Sequence, residues 1–223
     1  RLPQETGVTP EGERDADLAC LLRQGLEVAP HKGGDGLGQL APRSAPLDLG
    51  SHDVRDFEND DVVIANPAVP PDNKFLEIGR RHNKFVTSQI NIFFELCPAP
   101  IIGITGANGK STTAALTAHL LNNTRDEGQR AKDEKVWLSG NIGDQPLLMV
   151  LDQIKPDDLV VLEISSFQIE QLAWIQKAPK VSLLTNLMPN HLDRYGTFAG
   201  YCAAKENIFK FQKLDICSPA VSI

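Results

Sequence analysis

Residues 101–113 combine the side chains and backbone features that a phosphate site needs. An apolar run (IIGI) ends at a glycine-rich turn (TGANG), and a helical stretch then opens with KSTT. Backbone N–H groups of such a turn face phosphate oxygens, a lysine adds positive charge, and a hydroxyl can reach Mg²⁺. We therefore predict ATP chemistry and a phosphate site made of Gly106, Ala107, Asn108, Gly109, Lys110, Ser111, Thr112 and Thr113.

This motif has a simpler alternative interpretation. The general phosphate-loop pattern places glycine five residues before Gly109, where this chain has Ile104, so the match is to the tighter form TGxNGKST. The alternative is an ordinary strand-to-helix turn followed by a surface lysine. A lysine in the first turn opposes the helix dipole unless an anion is bound there, which favours the phosphate site.

Polar clusters follow three other predicted strands. Glu163 ends one strand and precedes SSFQ, the segment 185–196 (TNLMPNHLDRYG) contains His191, and Asn141 closes a further strand. Ligands of open parallel sheets gather at the carboxyl ends of strands. Glu163 either binds Mg²⁺ beside the nucleotide or turns to solvent and caps the next helix, and His191 is either functional or an ordinary polar residue.

The bulk composition excludes several classes of protein. The chain has 223 residues, 41% hydrophobic and 23% charged, which allows one large domain or two small ones. A net charge of −7 argues against nucleic acid as a partner. We expect neither a membrane span nor a signal peptide, because no run approaches membrane-spanning length and no charged-then-apolar stretch begins the sequence. Four scattered cysteines predict free thiols in the cytoplasm: Cys20, Cys97, Cys202 and Cys217.

The order of predicted elements indicates an α/β fold with a parallel sheet. Pro98-Ala99-Pro100 is the best domain boundary, because two prolines fix an extended connector. The predicted strands are Asp61–Ala65, Lys84–Thr87, Pro100–Thr105, Lys135–Leu138, Asp158–Ile164 and Lys180–Thr185. The predicted helices are Lys74–Arg81, Ile90–Leu96, Lys110–Leu121, Gln145–Ile154, Phe167–Trp174 and Phe198–Phe211, and residues 122–134 form a polar loop.

Two finer expectations concern burial and the first fifty residues. The apolar runs Leu159–Leu162 and Val181–Leu184 fit strands buried on both faces. Ala16–Gln24 fits a helix and Leu26–Ala29 a short strand, while glycine-rich His31–Gln39 fits a surface loop better than a dinucleotide loop.

Five segments taken together resemble the Mur ligase family, and SSFQ in particular resembles its D-glutamate-adding branch. The resemblance runs clearly from about Pro46 to Lys213 and only faintly through Ala19–Val28. The segments are 103–113, 138–143 (LSGNIG), 162–170 (LEISSFQIE), 185–196 and 201–209 (YCAAKENIF).

The resemblance implies both a fold and a reaction. Residues 1–97 would be an N-terminal, Rossmann-like domain that binds a UDP substrate, and 98–223 a truncated central ATPase domain of the P-loop type. The reaction would join D-glutamate to UDP-N-acetylmuramoyl-L-alanine through an acyl phosphate, using ATP, in peptidoglycan precursor synthesis. The family also implies a cytoplasmic monomer.

The resemblance also implies a role for each candidate residue. Lys110 would contact the β- and γ-phosphates, and Ser111 and Glu163 would hold one Mg²⁺. His191 and Lys205 would hold a second Mg²⁺, with Lys205 carbamylated; such a lysine must be desolvated so that its neutral amine reacts with CO₂. The alternative for Lys205 is a solvated lysine on a helix.

Two further positions would contact the nucleotide-sugar substrate. Asn141 and His191 would lie near it, and the loop Asn66–Pro70 would help enclose its UDP group.

The match to the family has three departures. Asn190 stands where many relatives carry Asp, residues 1–18 lack the expected strand and glycine turn, and the match ends after Lys213. The C-terminal domain that binds D-glutamate in this family is therefore expected to be absent. The alternatives are a catalytically silent nucleotide-binding fragment and a sibling Mur or folylpolyglutamate-type ligase.

Overall fold

The computed structural model describes residues 52–123, 134–142 and 147–212. Its strands are β1 (Val62–Ala65), β2 (Phe85–Ser88), β3 (Ile101–Thr105), β4 (Val136–Gly140), β5 (Leu159–Glu163) and β6 (Val181–Leu184). Its α-helices are α1 (Val54–Asn59), α2 (Lys74–Arg81), α3 (Gln89–Leu96), α4 (Lys110–Asn123), α5 (Ser166–Leu172), α6 (Leu192–Tyr195) and α7 (Phe198–Lys210). A 3₁₀ helix spans Leu147–Gln153.

The strands form two parallel sheets. β1 pairs with β2, and the larger sheet has the order β4-β5-β3-β6. The six strands that the sequence predicts from residue 61 onward are all present, with ends within two residues of the prediction. The α/β fold class with parallel strands and crossover helices is therefore confirmed.

The four-stranded sheet has an apolar core on each face. Val160 and Leu162 of β5 pack into one core with α3, α5 and α7, while Val161 between them packs into the other core beneath α4. Successive side chains of a strand point to opposite faces, so a continuous apolar run is what a covered strand needs. The prediction that Leu159–Leu162 is buried on both faces is confirmed for its last three residues, which are fully buried.

The same prediction is wrong for Val181–Leu184. Val181 is 54% exposed and Leu183 40% exposed, because β6 lies at the edge of the four-stranded sheet. Ser182, which points to the opposite face, donates a hydrogen bond to the Ile208 carbonyl of α7. An apolar run alone does not indicate whether a strand is central or at an edge.

Three helical segments also differ from the sequence prediction. The predicted helix Gln145–Ile154 is a 3₁₀ helix over Leu147–Gln153, and its first two residues lie outside the described part. The helices α1 and α6 were not predicted, because each is short and its start depends on the conformation of the single residue before it. The side chain of Asp53 caps α1, and a left-handed residue starts α6.

Several expectations fall on residues that are not described. They are the helix Ala16–Gln24, the strand Leu26–Ala29, the loop His31–Gln39, most of the polar loop and two of the four cysteines. All the elements named above belong to one compact unit that begins at Asp53, and the domain boundary near Pro98 stays a prediction.

Two further observations concern the described residues only. Cys97 and Cys202 are free thiols. None of the helices in these segments is long and apolar enough to cross a membrane.

Candidate functional site

The carboxyl ends of the strands surround a pocket of about 350 Å³. Polar residues that follow β1, β3, β4 and β5 all reach it, as expected for ligand sites of open parallel sheets. Its lining is Asn66, Pro67, Ala68, Gly106, Lys110, Asn141, Ser165, Ser166, Phe167, Asn190, His191, Tyr201 and Lys205.

The predicted phosphate loop joins β3 to α4, as the sequence indicates. Gly106 has a φ of +153°, and a Cβ there would lie 1.9 Å from the Thr185 hydroxyl, so this position requires glycine. Gly109 also has positive φ, and α4 begins at Lys110. The first N–H groups of a helix have no partner within it, so this end of α4 is suited to an anion.

Residues that follow β6 hold the predicted phosphate loop through hydrogen bonds. Asn186 accepts the Asn108 N–H at 3.0 Å and donates to the Asn108 carbonyl at 2.9 Å. Thr185 donates to the same carbonyl at 2.7 Å, and the Asn186 carbonyl accepts the Ala107 N–H. Thr185 and Asn186, which the sequence grouped with His191, therefore shape the phosphate loop.

Glu163 is buried at the carboxyl end of β5. It is 3% exposed, and its Oε2 atom has no hydrogen-bond partner among the described residues. The alternative that Glu163 turns to solvent and caps the next helix is wrong, because Ser165 and Gln168 form the capping box of α5. A buried carboxylate oxygen without a donor is available to a cation.

The end of β4 also approaches Glu163. Gly140 has a φ of +105°, and a Cβ there would lie 2.2 Å from the Glu163 carbonyl oxygen. This close approach lets the Asn141 N–H donate to that carbonyl at 3.2 Å, which leaves the exposed Asn141 at the pocket.

Lys205 lies within α7 and is only 2% exposed, so the alternative of a solvated lysine is wrong. Its Nζ donates to the Thr105 hydroxyl at 2.9 Å, and that hydroxyl donates to the Ile164 carbonyl at 2.7 Å. Burial, together with the positive charge of nearby Lys110, lowers the pKa of Lys205 to about 8. With this pKa, roughly a tenth of the amine is neutral at pH 7, far more than for an ordinary lysine.

His191 precedes α6 and faces the pocket. Its backbone is left-handed, with a φ of 51°, which is unusual for a residue other than glycine. Its ring centroid lies 4.8 Å from that of Phe167, and its carbonyl accepts the N–H groups of Arg194 and Tyr195. The short helix therefore fixes the backbone that carries His191.

The structure brings some predicted site residues together and leaves others outside the pocket lining. Those that line it are Gly106, Lys110, Asn141, His191 and Lys205. Those that do not are Ala107, Asn108, Gly109, Ser111, Thr112, Thr113 and Glu163.

Two residues of the site were not predicted individually. Thr105 binds Lys205, and Tyr201 lines the pocket with the Lys205 amine 5.2 Å from its ring centroid. Tyr201 precedes Lys205 by four residues on one helix, a spacing that places both on the same face and could have identified it.

The donor set fits a hard divalent cation only in part. Glu163 supplies a carboxylate oxygen that has no donor in the part of the chain that the structure describes, and Ser111 supplies an exposed hydroxyl at the start of α4. Mg²⁺ prefers such oxygen ligands. The unmodified Lys205 amine is not a ligand for Mg²⁺. In the segments described, no cluster of three or more His, Cys, Asp or Glu side chains could hold a metal. The predicted ligands include a serine and a lysine, so they would not form such a cluster.

Residues 104–218 match the family model described as the Mur ligase middle domain. The UDP-N-acetylmuramoylalanine--D-glutamate ligase of Roseiflexus sp. (strain RS-1) is 38% identical over 93% of this chain and 43% of its own length. The ligases of the same name from Clostridium kluyveri and Clostridium novyi are 34% and 37% identical, over 86% and 87% of this chain. The chain spans 41% of the length of each of these two relatives.

Solved structures of similar proteins include a pseudomurein peptide ligase type C from Methanothermus fervidus. It has a TM-score of 0.40 and 23% identity, over 74% of this chain and 33% of its own. The MurF ligase from Thermotoga maritima in complex with ADP has a TM-score of 0.42 and 21% identity, over 72% of this chain and 42% of its own.

Proposed function

Because the chain belongs to the Mur ligase family, we propose that it carries the ATP and UDP-sugar sites of a ligase that joins D-glutamate to UDP-N-acetylmuramoyl-L-alanine. The names of the relatives support the D-glutamate branch over its siblings. The observation that carries the proposal is the pocket, where Lys110, His191 and Lys205 face the loop Asn66–Ala68.

The proposed division of labour follows the two sheets. Residues 1–97 would bind the UDP part of the substrate and residues 98–223 the ATP, in a cytoplasmic monomer that acts in peptidoglycan precursor synthesis. The loop after β1 and the loop after β3 both line the pocket, so this geometry supports a substrate carboxylate that reaches the terminal phosphate of ATP.

The proposed reaction has two steps. The alanine carboxylate of the UDP substrate attacks the γ-phosphorus of ATP, which forms an acyl phosphate and releases ADP. The amine of D-glutamate then attacks the acyl carbon and phosphate leaves. The first step needs positioning and charge neutralisation above all, and the first turn of α4 with Lys110 is suited to both.

The residues around the phosphate loop have separate roles in this proposal. Ser111 and Glu163 would hold one Mg²⁺, which would supply neutralisation of phosphate charge. His191 and carbamylated Lys205 would hold a second one. The lowered pKa of Lys205 supports this role, because the neutral amine is the form that reacts with CO₂.

Calorimetric titration and phosphate release on this 223-residue chain test the proposal. We expect Mg-ADP and UDP-N-acetylmuramoyl-L-alanine to bind, and Lys205→Ala to retain both while it removes any phosphate release. Release that requires both the UDP sugar and D-glutamate would show that this chain suffices for ligation. Failure to bind either ligand would contradict the proposal.

The same titrations and phosphate-release measurements also test the two alternative functions. Binding of both ligands without phosphate release would favour a catalytically silent nucleotide-binding role. Replacement of the UDP sugar by the substrates of sibling Mur or folylpolyglutamate-type ligases would detect a sibling activity, because only the true acceptor should support phosphate release.

A further inference from the structure

The side chain of Arg194, in α6, contacts two other segments at the pocket. Its Nη1 atom donates to the Ala68 carbonyl at 2.8 Å, and its Nη2 atom donates to Glu170 Oε2 at 2.6 Å and to the Val69 carbonyl at 3.4 Å. The guanidinium carbon lies 4.6 Å from the centroid of the Phe167 ring. Arg194 is 11% exposed, so these bonds form largely out of water.

Each segment that this guanidinium joins forms part of the pocket wall. Ala68 belongs to the loop after β1, Phe167 lies in the first turn of α5, and His191 immediately precedes the helix that carries Arg194. The Arg194 N–H also donates to the His191 carbonyl at 3.0 Å. One residue therefore links the loop, α5 and the backbone of His191.

The loop after β1 is held by a small set of bonds. Its turn closes on Asn66, whose side chain accepts the Ala68 N–H at 2.9 Å and whose carbonyl accepts the Val69 N–H at 3.0 Å. Gln171 of α5 donates to the same Asn66 carbonyl at 3.2 Å. The two bonds from Arg194 go to the carbonyls of Ala68 and Val69, so they fix the backbone of the loop rather than one side chain.

The exposed pair of Arg81 and Glu77 differs from the pair that Arg194 forms with Glu170. Arg81 pairs with Glu77 one turn earlier on α2, and their side chains are 71% and 53% exposed. Exposed pairs of this kind contribute little to stability. Arg194 instead pairs out of water and between segments that are distant in sequence.

We propose that Arg194 is a positioning residue that holds the loop after β1 against α5 and α6, and so sets the separation between Ala68 and His191 across the pocket. The identity of the ligand between these walls rests on the proposed function. The role of Arg194 in holding the loop does not.

Hydrogen exchange of the Ala68 and Val69 amides measures whether Arg194 holds the loop. The variant is Arg194→Lys, which keeps the positive charge near Glu170 but lacks the planar fork that reaches two carbonyls. We expect exchange at these two amides to become about tenfold faster. The matched control Arg81→Lys, which alters the exposed pair, should leave it unchanged.

Titrations of the same variants separate positioning from a general structural role. We expect Arg194→Lys to bind UDP-N-acetylmuramoyl-L-alanine about tenfold more weakly. Its affinity for Mg-ADP should stay within about twofold of the affinity of the unsubstituted protein. A purely structural role would instead weaken both ligands together and lower the denaturation midpoint, which would overturn the proposal.

The outcomes distinguish the two proposals. If the unchanged protein binds neither ligand, the proposed function fails, and the exchange data still decide whether Arg194 holds the loop. Unchanged exchange in Arg194→Lys overturns the inference whatever the titrations show. If Arg194→Lys does not fold, Glu170→Gln replaces it. We expect exchange at the Ala68 and Val69 amides to become only about threefold faster in Glu170→Gln, because Arg194 loses its charged partner but keeps its bonds to the loop carbonyls. Unchanged exchange in Glu170→Gln would overturn the inference.

Discussion

Asp158 and Glu163 are two buried carboxylates at opposite ends of β5, and their surroundings differ. Asp158 is 1% exposed and accepts three hydrogen bonds: from the Lys135 N–H at 2.8 Å, from the Trp137 indole at 2.7 Å and from the Lys155 N–H at 2.9 Å. Burial by itself would raise the pKa of Asp158, but these donors outweigh it and the pKa lies below its ordinary value.

Glu163 is almost equally buried, yet its Oε2 atom has no donor among the residues that the structure describes. A carboxylate that the protein satisfies stabilises the fold, whereas one that it leaves unsatisfied lowers stability until a ligand binds. The contrast supports the proposal that Asp158, at the amino end of the sheet, contributes stability and that Glu163, at the carboxyl end, contributes to ligand binding. Substitutions at the two ends should therefore change different measured quantities.

The largest expected effect is loss of nucleotide affinity at the carboxyl end in Lys110→Ala. We expect the affinity for Mg-ADP to fall at least about a hundredfold, because the variant lacks a charge-assisted contact to phosphate. Calorimetric titration measures this, with Lys155→Ala as the control lysine at the amino end. Normal binding by Lys110→Ala would mean that the phosphate-loop assignment is wrong.

The next effect is on stability at the amino end, in Asp158→Asn. The amide would turn an N–H₂ group toward at least one of the three donors, so we expect the free energy of unfolding to fall by about 2–3 kcal/mol. Urea denaturation measures this loss, and Asp157→Asn is the control because Asp157 is exposed. Ligand affinities should stay unchanged, and a weaker affinity for Mg-ADP would break the contrast between the two ends.

Glu163→Gln should show the reverse pattern, with a smaller change in stability. Replacement of an unsatisfied buried carboxylate by a neutral amide should leave the free energy of unfolding unchanged or raise it by about 1 kcal/mol. The gain in ADP affinity on addition of Mg²⁺ should fall about tenfold, since the carboxylate oxygen is lost. A loss of stability as large as that of Asp158→Asn would contradict the proposed role of Glu163.

Local patterns in the sequence predict the helices and strands and much of the candidate site at the carboxyl end of the sheet. The helix start at Lys110 follows from the glycine turn, and the strand ends that carry Glu163 and Asn141 follow from short apolar runs. Burial of Lys205 could not be predicted from its own segment, where KENIF reads as a solvated helix. Thr105, which binds its amine, lies a hundred residues earlier in the chain.

The amino end was less predictable, because its contacts join segments distant in sequence. Asp158 was expected only as the first residue of a strand, and its bonds to Lys135 and Trp137 depend on the pairing of β4 with β5. The exposure of Val181 likewise depends on strand order rather than on the run that contains it. These features require knowledge of which strands are neighbours.

The smallest expected effect is the acid dependence of the stability that Asp158 provides. Because its folded-state pKa is lowered, its contribution is fully present above the ordinary value of about 3.9 and is lost as the pH falls through the folded-state pKa. We therefore expect the stability difference between the unsubstituted protein and Asp158→Asn to narrow from about pH 6 to about pH 3, by no more than about 1 kcal/mol, since protonation of the unfolded-state carboxyl sets the limit. Urea denaturation of both proteins at each pH measures this difference. A constant difference would mean that the three donors bind Asp158 equally well when it is protonated, and the amino end would then owe its stability to packing rather than to this carboxylate.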